Sequence, residues 1–553
     1  MQKFSWIALA ALSCAAVWGA DWPTQSGSPQ RDGWAKSEKT IAKDNVNDLD
    51  LLYKYRADNR SRGLQSLTSP LIDGFLITYL GFKEMLVFGG SADNVYSVDA
   101  DLNRIIWKVH LDYNADKPQA ARSTSGCPGG LTAPVTMAGS SSAGERRFFR
   151  RPARTASVTV APAAHIDAPI GGSGFGSLGA FFVVSSDGYL HTLNTSTGHD
   201  LIPPVKFLPP NSTVSGLNIN ENVIYATTSG GCGGSPNALY AVNPSSDDKT
   251  VASFPTNGSG FSGMAGIAIG TDGTLYAQIA SGHGDPAGEY HDTVLALTPK
   301  DLKVKDYFTP VGAPPGPAKG LEPVSATPVV FSSNGKDVIV AGGRDGRLYL
   351  LDSASLGGAD HHTPLYRTVP IASADTKYAG NGFRGAFSSW EDTDTNTRWV
   401  YASLSGPPDA AAQFPVTNGA ASSGSIVAFK VEERNGHRVL TPSWISRDML
   451  APAPAATANG MVFALATGES PREAKPNGSP YSIADREKMA SHATLFVLDG
   501  ATGKELYSSG TMVSSFSHGS GLAVANGRVY FTTHDNTVYC FGLPATQPQL
   551  TGR

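Results

Sequence analysis

A short pattern of apolar and polar positions returns again and again along this chain. A run of aromatic and β-branched residues gives way to a polar turn, commonly with Gly. A second run then ends on an apolar residue followed by Asp or Asn. Alternation with a period of two marks half-buried strands, and a polar turn between two such runs marks a hairpin. Complete copies are 86–99 (LVFGGSADNVYSVD), 181–194 (FFVVSSDGYLHTLN), 338–352 (VIVAGGRDGRLYLLD) and 528–542 (RVYFTTHDNTVYCFG). Four more copies are split by longer turns. They open VIYATTSGG, TLYAQIASG, WVYASLSGP and MVFALATGE, and close ALYAVN, TVLALT, SIVAFK and TLFVLD.

Eight hairpins, each with one further strand expected on either side, predict an all-β chain of eight four-stranded antiparallel blades. One such sheet cannot bury both faces alone. Stacking blades around an axis buries them, and closing the ring removes the exposed ends. An open β-solenoid has shorter and more uniform repeats and fits less well. The segment before the first copy and the last strands are expected to meet and close the ring. The boundaries expected are a leader over 1–20, a single propeller over 21–545 with an insertion at about 125–179, and a tail over 546–553. That insertion carries the basic run ERRFFRRPAR, read as a solvated loop.

Composition agrees with this reading. The chain has 553 residues, more than a simple domain needs, but a closed repeat array extends one core as it grows. With 41% hydrophobic residues, 61 Gly and 37 Pro it has material for a core and for many turns. Only 16% of residues are charged and the net charge is −4, so nothing electrostatic points to nucleic acid. Lys3, the apolar run 4–17 and the small residues up to Ala20 read as an export signal cut after Gly19 or Ala20. That run is too short to span a membrane, and no later stretch is long enough. A periplasmic or extracellular location follows. Cys14 invites a lipid anchor, but Ala11 stands where such sites usually carry Leu.

Export permits a disulfide. Cys127 (SGCPGG) and Cys232 (GGCGG) lie in similar Gly-rich loops and are expected to pair. Free thiols, or pairing with Cys540 in its apolar strand, are the alternatives. No CxxCH is present to attach a haem.

The stretch DWPTQSGSPQRDGW (21–34), followed by NVNDLDLLYKYRAD (45–58), resembles the opening of the quinoprotein alcohol dehydrogenases, which use pyrroloquinoline quinone (PQQ). The eightfold repeat matches that family's propeller. The resemblance implies a flat quinone held near the channel axis, a Ca²⁺ ion that polarises it, a carboxylate that takes the substrate hydroxyl proton, and a cation beside the quinone oxygens. By position, Glu322 in KGLEPVSATP stands for the catalytic carboxylate and Arg344 in GGRDGRLYLLD for the cation. His283 and Asp285 in SGHGDP stand at one Ca²⁺-ligand position.

The sequence also departs from the family. The ligand Glu expected in blade 3 is replaced by SGGCGGSPN, with Cys232 and the nearby Asn237. The vicinal cysteine pair that caps the cofactor is missing, and Cys127 lies near its place. Phe261 and Met264 occupy the stretch where a Trp floor is expected. Cys127, Cys232 and Phe261 are therefore the remaining candidate cofactor contacts.

Other features carry less chemistry. Trp390, Trp399 and Trp444 read as blade packing. His361 and His362 are adjacent and point apart in an extended chain, so Asp360-His361-His362 is a poor metal site. GSGFGSLG precedes a strand and not a helix, so it is no nucleotide fingerprint. Two functions fit the sequence. One is a quinoprotein that oxidises an alcohol or sugar-like hydroxyl and hands electrons to an external acceptor. The other is a non-catalytic propeller that binds a ligand or a protein at the channel mouth.

Overall fold

The computed structural model describes residues 20–78, 81–111, 127–137, 179–234, 236–256, 260–280, 290–312, 326–373, 375 and 382–544. Among these residues the strands form eight antiparallel sheets, and each sequence repeat supplies the two middle strands of one sheet. Blades 1 to 7 span 71–110, 136–206, 213–255, 268–308, 329–367, 388–445 and 456–508. Blade 8 takes three strands from 523–542 and its fourth, Asp50–Arg56, from the other end of the chain. Asp50 lies opposite Gly542 and Arg56 opposite Thr537, so the ring closes by strand pairing, as expected. The first strands of successive blades touch one another from blade 2 round to blade 8 and on to blade 1, which makes them the inner strands.

Large side chains fill the wedges between blades. Trp399, Tyr401 and Trp444 are buried in the cluster joining blades 6 and 7, with Trp390 packed at its edge. The Trp444 indole donates to the Gly500 carbonyl at 2.9 Å. Its ring lies on Gly503, where a Cβ would come within 2.4 Å of it and where φ is +71°, so only glycine fits. Trp107 repeats the arrangement between blades 1 and 2. It donates to the Thr195 carbonyl and packs on Gly198. Each such ring removes about 150–250 Å² from water, worth roughly 4–6 kcal/mol before the entropy of ordering is counted. Cys540 is a free, buried thiol within blade 8, and burial pushes it up to about 12.

Successive strands are antiparallel, so each blade has two ends. The turns from inner to second strand emerge on one face of the ring, called here the lower face. The second-to-third turns and the links between blades emerge on the upper face.

The segment from Ala20 to Ala35 was not foreseen as an element, yet it runs round the inside of the ring. Its backbone pairs with Ile72 of blade 1, Met137 of blade 2, Ile269 of blade 4, Val330 of blade 5, Ser389 of blade 6 and Thr457 of blade 7. Thr24 Oγ1 donates to Leu217 in blade 3, and Ala20 is gripped at both N–H and C=O by the side chain of Asn526 in blade 8. Arg31 lies fully buried in this ring. It donates to the carbonyls of Ile267, Leu217 and Gln25 and to Thr24 Oγ1 at 2.7–2.9 Å. Burial lowers its pKa to about 9. The segment thus ties the inner strands together.

Three details differ from a uniform propeller. Blade 6 gains a fifth strand, Val416–Thr417, parallel to its outer strand. The inner strand of blade 3 comes in two pieces, Thr213–Val214 and Asn218–Asn220. The long insertion is interrupted by the inner strand of blade 2, Thr136–Met137; residues 138–178 connect that strand to the second one, Ala180–Val184. The basic run lies outside the described residues, as do residues 1–19 and the tail from 545.

Candidate active site at the upper channel mouth

Arg344 sits in the second-to-third turn of blade 5, between Lys336–Gly342 and Leu348–Asp352. It is not a surface charge, because its side chain is only 2% exposed. Its guanidinium donates to Asp292 at 2.9 Å. Asp292 precedes the third strand of blade 4, is equally buried, and has φ of +54°. A non-glycine residue held in the left-handed region costs of order 1–3 kcal/mol and persists where surrounding contacts fix it. Here the ion pair joins blades 4 and 5 at the upper face. Burial pulls the Arg344 pKa down while Asp292 draws it back up, and the net shift is downward.

Cys127 and Cys232 form a disulfide that ties the link before blade 2 to the second-to-third turn of blade 3, across 105 residues of sequence. Asn237, in the same turn, accepts the Gly231 N–H at 2.8 Å and so uses its carboxamide oxygen to hold the loop. Phe261 is 3% exposed and packs in the core shared by blades 3 and 4. Met264, three residues on, bridges to other blades. It donates its N–H to Gly385 in the link before blade 6, and a Cβ on Gly385 would meet the Met264 sulfur and Pro454 of blade 7. Glu322, His283 and Asp285 lie outside the described residues. Among the described residues no group of three or more His, Cys, Asp or Glu side chains is placed to hold a metal.

Sequence reading missed a second set of charges at this mouth. Glu469, in the second-to-third turn of blade 7, accepts from His518 Nδ1 at 2.8 Å and from Arg486 at 3.3 Å, and pairs with Arg384. Arg486, carried on the short helix Ile483–Met489, also reaches Glu473 at 3.4 Å. Burial alone would raise the Glu469 carboxyl. The charges of His518, Arg384 and Arg486 outweigh it and hold the group well below the usual carboxylate range. One terminal nitrogen of Arg384 and both amide atoms of Gln25 are buried without a hydrogen-bond partner. Gln25 belongs to the N-terminal ring, is 4% exposed, and lies beside Gly521 and Ser69 at the upper ends of the inner strands of blades 8 and 1. Unpartnered buried polar atoms of this kind call for water or a ligand.

A Ser-His-Asp arrangement also exists in blade 2. His191 contacts Ser185 Oγ at 3.2 Å and Asp200 at 3.0 Å. Ser185 and His191 are buried, and the serine hydroxyl donates to Asp187 in its own hairpin, so the set braces the turn. His361 stacks on Tyr307 and faces Asp306, while His362 contacts the Thr309 carbonyl. They are thus held by different partners.

No protein-family model matches the chain, and no curated protein matches it by sequence. Solved structures do match by shape. The quinohemoprotein alcohol dehydrogenase of Comamonas testosteroni superposes with a TM-score of 0.55 at 13% identity, covering 97% of this chain and 82% of that one. The quinohemoprotein alcohol dehydrogenase ADHIIG of Pseudomonas putida gives 0.55 and 13%, covering 96% and 81%. A europium-containing methanol dehydrogenase gives 0.52 and 13%, covering 95% of this chain and 98% of that one. At such identity the likeness is one of fold. The chain shares the fold of these structures along nearly its whole length.

Proposed function

We propose that this chain is an exported quinoprotein-type oxidoreductase that oxidises a hydroxyl-bearing small molecule at the upper channel mouth, using PQQ with Ca²⁺. One observation carries the reading. The blade 5 turn buries a guanidinium, Arg344, at the position where the family resemblance puts the cation beside the quinone. The unpartnered amide of Gln25 and nitrogen of Arg384 beneath the same face add polar atoms for a bound group. The described residues fit the quinone in these respects. The metal falls to His283 and Asp285.

When bound, PQQ supplies the two-electron acceptor for a hydroxyl carbon, and the electrons leave to an external acceptor. The residues of the chain do the rest. Glu322 takes the hydroxyl proton. Arg344 stabilises negative charge as it develops, in a setting with little water to screen it. Asp292 keeps the guanidinium in place, and the Cys127–Cys232 bridge holds the rim.

The non-catalytic scaffold reading is favoured by one specific feature. Asp292 already balances the Arg344 charge, and a neutral pair stabilises new negative charge less than a lone cation does. Dye-linked oxidation of a panel of primary alcohols, with added PQQ and Ca²⁺, separates the two. The oxidoreductase reading expects quinone-dependent turnover that falls at least a hundredfold in Glu322→Gln. Absence of turnover across the panel, in folded protein shown to bind the quinone, favours the scaffold.

A further inference from the structure

On the lower face, opposite the mouth just described, the N-terminal ring encloses a cavity of about 170 Å³. Its wall includes Trp34, Asp21 and Gln30 from the ring and Asn220, Glu221 and Asn222 from blade 3. The last three belong to the turn joining the inner and second strands of that blade.

This turn is unusual in its residues. A two-residue hairpin turn of type I′ needs positive φ at both central positions, which is why Asn-Gly is favoured. Blades 5, 7 and 8 obey with Asn334–Gly335, Asn459–Gly460 and Asn526–Gly527, at φ of 47–53° and 71–77°. Blade 3 holds the same conformation with Glu221 at 46° and Asn222 at 69°. Glutamate gains nothing from that backbone, and a strained residue retained at a cavity wall points to a use for its side chain.

The donor set identifies the ligand class. Two carboxylates, Asp21 and Glu221, disfavour an anion. Lys36, also at the wall, is engaged by Asp32 at 2.8 Å and lies over the Trp34 ring. Among the described residues no cluster is placed to hold a metal ion. Amides offer paired donors and acceptors, and carboxylates accept pairs of hydroxyls. The Trp34 indole, elsewhere on the wall, already has Lys36 and Arg398 over its ring. The cavity is smaller than the roughly 300–1,000 Å³ that takes drug-sized ligands, so it suits a single ring. We propose that this cavity binds a neutral monosaccharide or a polyol of similar size, with Glu221, Asn220 and Asn222 holding hydroxyls.

The test replaces the turn with the residues its sister blades use, Glu221→Asn together with Asn222→Gly. D-Glucose and D-galactose are titrated separately into wild type and variant, followed by saturation-transfer NMR. Wild type is expected to show saturable binding of at least one hexose. The variant is expected to bind it at least tenfold more weakly while melting at the same or a higher temperature, since the backbone strain is relieved. No saturable binding of either hexose by wild type, or unchanged affinity in the turn variant, overturns the proposal. Quinone-induced thermal stabilisation is read in the same samples. It is expected to be equal in wild type and turn variant, so failure of the sugar site and failure of the quinone reading are told apart.

Discussion

The two faces of the propeller are built from the same hairpins but solve different problems. On the lower face most inner-to-second turns are short, the connection 138–178 of blade 2 apart. Asn-Gly pairs recur, and their Asn side chains pin the N-terminal segment: Asn526 grips Ala20, and Asn459 donates to the Ile41 carbonyl. On the upper face the second-to-third connections range from tight turns to long loops, and several of them bury charge. Arg344 meets Asp292, and Glu469 gathers Arg384, Arg486 and His518. In most blades the lower end is standardised for closure and the upper end is diversified. Propellers and barrels carry their chemistry on variable loops held by a fixed frame.

The contrast is sharpest at the blade 4–5 ion pair. Arg344→Leu or Asp292→Leu alone breaks this buried ion pair and is expected to cost about 3–5 kcal/mol. The double replacement is expected to recover most of that loss. Denaturant melts of the three variants and wild type form the cycle that checks it, and additive losses would show that the two groups are not coupled.

Next in size is the upper-face bridge. Cys127→Ser with Cys232→Ser frees a span of 105 residues in the unfolded chain and is expected to cost about 2–4 kcal/mol. Wild type under reducing conditions should melt with the double variant. On the lower face the effects are smaller. Asn526→Ala removes two hydrogen bonds to Ala20 and is expected to cost about 1–2 kcal/mol. Hydrogen exchange should show the N-terminal ring opening first in that variant.

A further effect is one of pH. Glu84 sits between blades 8 and 1, near Arg528 and Tyr530. Burial pushes its carboxyl up to about 7, against the pull of Arg528 and with Asp101 adding to the rise. Between about 4.5 and 7 the folded protein therefore keeps a proton that the unfolded chain releases, so this contribution to stability fades as pH rises through that window. Glu84→Gln should flatten the pH dependence of melting there. An unchanged slope would show that Glu84 ionises normally in the fold.

The eight blades were legible because each repeat alternates with a period of two and breaks at a turn, a local signal that survives without neighbours. Ring closure and the Cys127–Cys232 pairing were legible too. The N-terminal ring was not. Residues 21–34 have no periodicity, and their bonds go to strands hundreds of positions away: Arg31 reaches Ile267, and Thr24 reaches Leu217. The Glu469 cluster was hidden for the same reason, since Arg384 is 85 residues from Glu469 and His518 is 49. Arg344 could be picked out by its turn, but its partner Asp292 carries no motif. Its positive φ shows only in the fold. Phe261 read as a floor residue from its place in the chain, and the structure puts it in the core of blades 3 and 4.

The central claim is that the upper mouth holds the quinone beside Arg344. Its most direct test is equilibrium titration of PQQ, followed by quinone absorbance, into wild type and the Arg344→Leu/Asp292→Leu double variant with Ca²⁺ present. Wild type is expected to bind saturably and one-to-one, and the variant at least tenfold more weakly. Equal binding by both proteins, or none by wild type, would contradict it.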